Sequence, residues 1–353
     1  MSYRPIRVLG AGHFGTVRLE YDEALGRYCA AKYLNPQYLP PSVAIHAEAQ
    51  AMIAAKHENV VEVYSADEVA QTIAGGHTVT FPVIRMEYLE RGSIEDINHG
   101  AMLGIGNALR AIEDACRGVE HLHSRGLLHR DIKPGNLMMD SAGRVKVSDF
   151  GLSSKQGAAT AMPPWSYTVH VPPESVNTGN GIESALGDVY ALGVTAYRLL
   201  NGDEGFRNSL LQGEALKAAI IDGTFPDRNG WAPHIHLSLR KAVIKAMSPI
   251  PSSRFQSAVD FRHALERARP RVDWVPGPDG AGIVCNGVDV LSNNEWSARI
   301  SEVSPAEWSF ALKKRVPGGD WRRVNREGVG PVPLAAVRAH AAGVLGRIAV
   351  EGR

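Results

Sequence analysis

The stretch from His129 to Gly151, HRDIKPGNLMMDSAGRVKVSDFG, constrains the fold more than any other part of the chain. Asn136 follows Asp131 by five residues, and a second carboxylate, Asp149, closes the run just before Phe150-Gly151. Ser141-Ala142-Gly143 reads as a turn, and Arg144 to Val147 as a short β-like strand. A hairpin built on that turn brings Asp149 back beside Asp131 and Asn136. Either triplet alone, His129-Arg130-Asp131 or Asp149-Phe150-Gly151, would pass as a hairpin with ordinary surface charges. Both at this separation, with Asn136 between them, do not.

A second feature lies near the N-terminus. Arg7 to Arg18 reads strand, turn, strand around Leu9-Gly10-Ala11-Gly12-His13-Phe14-Gly15-Thr16-Val17. Glycines let a backbone fold tightly over phosphates and present N–H groups to them without side-chain obstruction. A GxGxxG pattern by itself is shared with dinucleotide-binding folds, where a helix begins at once. Here Thr16 to Tyr21 is β-like and alternating, so the pattern sits in a hairpin.

Taken together, these segments resemble the eukaryotic-like Ser/Thr protein kinases, especially those of bacteria, over residues 1–268. The resemblance implies an α+β, two-lobed protein kinase fold, with a β-rich N-lobe of five strands on a helical C-lobe. It implies ATP and Mg2+, or Mn2+, as cofactors. It also implies roles by position. Asp131 accepts or orients the proton of the attacking hydroxyl, and Lys133 is the residue that Ser/Thr-directed kinases carry two places on. Asn136 and Asp149 hold the metal ions. Lys32, in the strand-like Tyr28 to Leu34, takes the phosphate-binding position, with Glu48 as its partner on a helix over Ser42 to Ala55. Val17 and Ala30 form part of the adenine ceiling. Met86 is the gatekeeper, and Glu87-Tyr88-Leu89 the hinge. Leu9, Gly10, Gly12, Gly15 and Leu137 complete the nucleotide set.

The resemblance extends to the architecture below the cleft. Leu103 to Ser124 is apolar at intervals of three and four and reads as a long amphipathic helix. Its His121 and His123 read as core or capping residues. Asp188 is expected to tie the catalytic loop from beneath, and Glu174 to pair with Arg254. The segment Leu152 to Glu174 departs from the pattern. Ser166-Tyr167 stands where a Gly-Thr pair is usual, and His170 stands in place of a Tyr, which bears on peptide specificity. Ser153, Ser154, Thr160, Ser166 and Thr168 are candidate phosphosites, with Arg130 as a receiver.

Composition narrows the remaining classes. Of 353 residues, 44% are hydrophobic and 21% charged, with a formal net charge of +1, so bulk attraction to nucleic acid or anionic membrane is not implied. The three cysteines, Cys29, Cys116 and Cys285, are odd in number and far apart, which argues for a reducing compartment. With no signal-peptide core and no apolar run of spanning length, the expectation is a cytoplasmic protein without a membrane partner.

From Arg271 the character changes. Residues 271–353 hold four of the six tryptophans and no tyrosine. Pro270 and Pro276-Gly277-Pro278-Asp279-Gly280 mark a linker over 269–280. Beyond it, 281–353 reads as a separately packed α+β module with strands over Gly282–Leu291, Trp296–Val303, Trp308–Val316 and Trp321–Val324, and a helix over Leu334–Leu345. The module is expected to dock on the kinase lobe or to recruit a partner. Lys313-Lys314-Arg315 and Arg322-Arg323 read as a solvated face rather than a nucleic-acid site. The expected reaction is transfer of the ATP γ-phosphoryl to Ser/Thr hydroxyls of proteins, autophosphorylation included. The alternatives are phosphotransfer to a non-protein substrate, a pseudokinase scaffold, and a nucleic-acid-binding adaptor acting through the module.

Overall fold

The computed structural model describes residues 3–12, 15–35, 50–72, 76, 78–149, 169–178, 184–203, 206, 211, 213–277 and 282–353. Five strands open the chain: β1 (Tyr3–Gly12), β2 (Gly15–Asp22), β3 (Arg27–Leu34), β4 (Val63–Thr72) and β5 (Thr78–Glu87). They form one antiparallel sheet in the order β1-β2-β3-β5-β4. Register fixes which side chains share a face. Val17, Lys32 and Ile84 lie in one cross-strand row, and Leu19, Ala30 and Met86 in the next. Residues 50–54 are helical, with Met52 turned into the core.

Below the sheet, the short α1 (Ile94–Asn98) starts on a capping box made by Ser93 and Asp96. The long helix α2 (Ile105–Ser124) follows. Its Ile105, Ala108, Leu109, Ile112, Ala115, Cys116, Val119 and Leu122 recur at three and four and are all buried. Two strands of three residues, β6 (Leu137–Met139) and β7 (Val145–Val147), pair antiparallel. Gly143, at φ 83°, supplies the left-handed residue their turn needs, and its N–H donates to the Asp140 carbonyl. Next come α3 (Pro173–Thr178) and α4 (Ala185–Asn201). From Asp188 to Leu200 every residue of α4 is buried, as befits a helix with neighbours all round. Then α5 (Gly213–Ile221), α6 (Leu237–Ala246) and α7 (Ala258–Arg267) complete the helical part. The expected two-lobed kinase fold is present.

The region after α7 differs from the expected linker and separate module. Val272–Gly277 is a strand, β8, paired with β9 (Gly282–Asp289). The chain continues through β10 (Glu295–Ser304), β11 (Glu307–Arg315), β12 (Arg322–Arg323) and β13 (Val329–Val332) to helix α8 (Leu334–Glu351). The sheet runs β12-β11-β10-β9-β8, with β13 also on β11. Pro276 made 269–280 read as a break. At the edge of a sheet, however, a proline gives up no ladder hydrogen bond, and β8 is such an edge. Trp274 on β8 is 0% exposed. One hydrophobic core joins Leu109 and Val243 of the helical lobe to Trp274, Phe310 and Ile348 of the C-terminal sheet and helix.

Candidate active site

The β6–β7 hairpin does what the sequence spacing requires. Leu137 faces Val147 across it. The Ser148 N–H and hydroxyl both reach the carbonyl of Asn136, at 2.9 and 3.2 Å. Asn136, in a single turn of 3-10 helix at Pro134–Asn136, sends its side-chain amide to the Asp131 carbonyl at 2.6 Å and carboxylate at 2.9 Å. Lys133 donates to the same carboxylate oxygen at 2.7 Å. Asp131, Lys133, Asn136 and the residue before Asp149 therefore form one connected cluster.

Asp149 holds a left-handed backbone, at φ 61°, which is uncommon for a residue with a side chain. Its Oδ1 accepts from Lys32 Nζ at 2.6 Å. Burial opposes its charge, but the Lys32 ammonium outweighs that effect and holds the carboxyl below the usual range. Lys32, Met52, Val61, Val63, Ile84, Met86 and Asp149 surround a small cavity behind the cleft. Met86 thus sits beside Lys32 and Asp149.

The loop carrying Asp131 is held from below by Asp188. This fully buried carboxylate accepts from the backbone N–H of His129 at 2.9 Å and of Arg130 at 2.8 Å. Its third partner is His123 Nε2, at 2.7 Å. Burial works against ionisation of Asp188, yet the His123 hydrogen bond and the nearby imidazoles keep it lowered. Arg130, another left-handed residue at φ 70°, is thereby fixed where its backbone would not otherwise stay. His123 had read as core or cap; it is instead the charged carboxylate's ring partner. Its only sequence signal is its place at the end of α2, six residues before His129.

The glycine hairpin lies at the β1–β2 end. Gly10 pairs with Val17 and Gly12 with Gly15, Leu9 lies on β1, and residues 13–14 fall outside the described residues. At Gly15, φ is 146° and a Cβ would lie 2.0 Å from the Tyr33 carbonyl oxygen, so only glycine fits. At the hinge, the Glu87 N–H donates to the Glu62 carbonyl at 2.8 Å. The Glu87 carboxylate takes both its oxygens to Lys146 Nζ, at 2.9 and 2.7 Å. That bond joins the hinge to β7, and sequence reasoning did not find it. Leu89 and Leu137 are buried.

Glu48 and Phe150 lie outside the described residues, as do the candidate phosphosites among 151–168. Glu174 meets Arg254 as expected, through two bonds of 2.8 and 2.7 Å. His170 is buried against Arg198, at 3.5 Å, and near Phe206. Burial first, and then the Arg198 charge, push its pKa well below the ordinary value, so its ring is neutral.

In chemical terms, the cleft offers two lysines, two carboxylates and an amide, together with a glycine hairpin. A model of the protein kinase domain matches residues 3–262, and the chain belongs to that family. It is similar to bacterial serine/threonine-protein kinases. Identity is 31% over 268 residues to PknB of Mycobacterium leprae, covering 74% of this chain and 42% of that protein. It is 29% over 273 residues to PrkC of Bacillus subtilis, covering 75% and 40%. It is 30% over 281 residues to Pkn1 of Myxococcus xanthus, covering 76% and 38%. The chain spans about two-fifths of the length of these relatives. Among the described residues, no helix is long and apolar enough to cross a membrane.

Proposed function

We propose that this chain is an ATP-dependent Ser/Thr protein kinase that transfers the γ-phosphoryl of ATP to protein Ser/Thr hydroxyls, its own included. The observation that carries the reading is the cluster in which Lys133 and Asn136 converge on Asp131 while Lys32 meets Asp149. Asp131 orients the acceptor hydroxyl and takes its proton. Lys133 offsets charge beside it, and Lys32 binds phosphate oxygens. The hinge backbone at Glu87 and Leu89, with Val17, Ala30 and Leu137, holds the adenine.

Asn136 and Asp149 are the residues that would hold Mg2+, or Mn2+. Both present hard oxygen donors of the kind these ions take. The Asn136 amide nitrogen is spent on Asp131, which turns its carbonyl oxygen away, and Asp149 Oδ2 has no described donor. The lowered Asp149 carboxyl keeps its charge at neutral pH. When bound, the ion would neutralise charge on the phosphates. Positioning and charge supply the catalysis, because phosphoryl transfer asks for little else of the protein.

Three free, buried cysteines support a cytoplasmic setting. The test is mass spectrometry of the purified chain after incubation with ATP and magnesium or manganese. Phosphate on Ser or Thr is the expected result. No phosphorylated residue in folded protein, on itself or on a generic substrate, overturns the reading.

A further inference from the structure

The long helix α2 begins without a side-chain cap of its own. Gly104 occupies the cap position with no side-chain hydrogen bond, and the first turn holds no acidic residue. Four free N–H groups and the positive end of the helix dipole are thereby left at that end. The missing carboxylate comes from far along the chain. Asp273, on β8 of the C-terminal sheet, accepts from the Gly106 N–H through Oδ1 at 2.8 Å.

The fit is close on both sides. A Cβ on Gly106 would lie 2.3 Å from Asp273 Oδ2, and one on Gly104 would lie 2.8 Å from the side chain of Val275. Further down the same helix, Glu113 is 5% exposed and accepts from Arg269 at 2.6 Å, just before β8 begins. The residues flanking β8 thus grip α2 at its start and at its middle. Trp274, between these contacts, is sealed in the shared core.

The opposite end of α2 carries His123, which holds Asp188, which in turn holds the N–H groups of His129 and Arg130. A 20-residue helix is a rod about 30 Å long. What sets its position at one end sets it at the other.

We infer that the C-terminal sheet is a brace for the catalytic loop, and that Asp273 and Arg269 are positioning residues acting through α2. The brace adds a structural role to the phosphotransferase reading and rests on it for its kinetic consequence only. Small sliding shifts between packed helices are how such a contact changes a distant site.

The test uses the full chain with Asp273→Ala, Arg269→Ala, the double variant and Asp273→Asn. Amide hydrogen exchange at His129 and Arg130 is read without nucleotide, and kcat and KM for ATP are read separately. Loss of a helix cap is worth about a factor of five to ten in an equilibrium. The double variant is expected to speed exchange at His129 and Arg130 by roughly that factor and to lower kcat several-fold, with KM for ATP unchanged. Asp273→Asn, which keeps a carbonyl acceptor for Gly106, is expected to recover most of both.

If exchange quickens only in the first turn of α2, or nowhere, and kcat holds, Asp273 is a local cap and the brace is wrong. If the unaltered chain transfers no phosphoryl group, the kinase reading fails, and the exchange measurement still decides the brace.

Discussion

The catalytic hairpin and the interior of the seam beneath the C-terminal sheet hold their polar groups in opposite ways. At the hairpin, each carboxylate is matched: Asp131 by Lys133, Asp149 by Lys32, and Asp188 by the His123 ring and two backbone N–H groups. At the seam, besides the Arg269–Glu113 ion pair, one enclosed polar pair is neutral. Cys285 Sγ lies 3.4 Å from His234 Nδ1, and both residues are almost fully enclosed. Burial raises the Cys285 thiol to about 12 and lowers the His234 ring to about 4, so both partners are neutral at pH 7. Charge is costly to bury unless it is paired, and the hairpin keeps its pairs partly open to water, with Asp131 35% and Asp149 33% exposed. Substitutions at the hairpin should therefore change rate more than stability, and substitutions in the Cys285–His234 pair the reverse.

The sharpest break of that contrast is Asp131→Asn. Loss of a positioned proton acceptor costs about 10²- to 10⁴-fold in turnover. The carboxamide keeps the shape of the site, so nucleotide binding by calorimetry should be nearly unchanged. Wild-type turnover in this variant would mean that Asp131 has no part in the transfer.

Next in size is Arg254→Ala, which moves stability although it lies in the catalytic lobe. The Arg254 side chain is 0% exposed, and besides Glu174 it donates to the Ser248 and Leu186 carbonyls. Glu174 retains 24% exposure, so some water can replace the lost partner. The expected loss is about 3 kcal/mol, the low end for one half of a buried pair, or roughly 5–10 °C in Tm for a unit of this size. An unchanged Tm in a thermal scan would show that the pair contributes nothing.

These two cases also show what a sequence exposes. Asp131, Asn136 and Asp149 flank one short hairpin, and its turn residues fix the geometry locally, so their proximity could be read directly. The Glu174–Arg254 pair, 80 residues apart, was legible only through the family pattern. His123, Lys146 and Asp273 were not legible. Each is an ordinary polar residue whose role depends on which element the folded chain brings against it. Asp273 meets Gly106 across 167 residues. Pro276 misled for the same reason, since an edge strand and a linker look alike until the neighbouring strand is known.

The seam has its own test in pH. The His234 ring titrates near 6.5 when unfolded and at about 4 when buried, so between those values the unfolded chain binds more protons. Stability from the neutral ring is complete above pH 6.5 and drains away as pH falls toward 4. At pH 5 the loss is about 1–2 kcal/mol. Arg240, also positive, acts in the same direction. His234→Gln removes the titration. Its Tm should drop less than that of the unaltered chain between pH 7 and pH 5. An equal drop in both would mean the ring is not held neutral.

The smallest effect lies at the free edge of the C-terminal sheet. Strand pairing there sets Lys313 opposite Arg323 and Lys314 opposite Arg322. Like charges directly across a ladder are mildly unfavourable. Lys314 finds the Trp296 ring, and Arg315 finds Glu295 and the Trp321 ring. Lys313 and Arg323 are exposed and have no such partner among the described residues. Charged edge strands resist pairing with other chains, which is reason enough for these residues. On that account Lys313→Glu replaces a repulsion with an attraction and raises stability by a few tenths of a kcal/mol, about 1 °C in Tm. It should leave phosphoryl transfer untouched. The competing view, that this edge grips nucleic acid, requires something different. The unaltered chain would then bind single-stranded RNA or DNA with an affinity that falls steeply with salt, and Lys313→Glu would flatten that slope by about one unit. A titration at two salt concentrations separates them. Salt-dependent binding lost in the variant would make the edge a binding surface, and the neutral Cys285–His234 pair would then mark only one side of a module that keeps its charge for a partner.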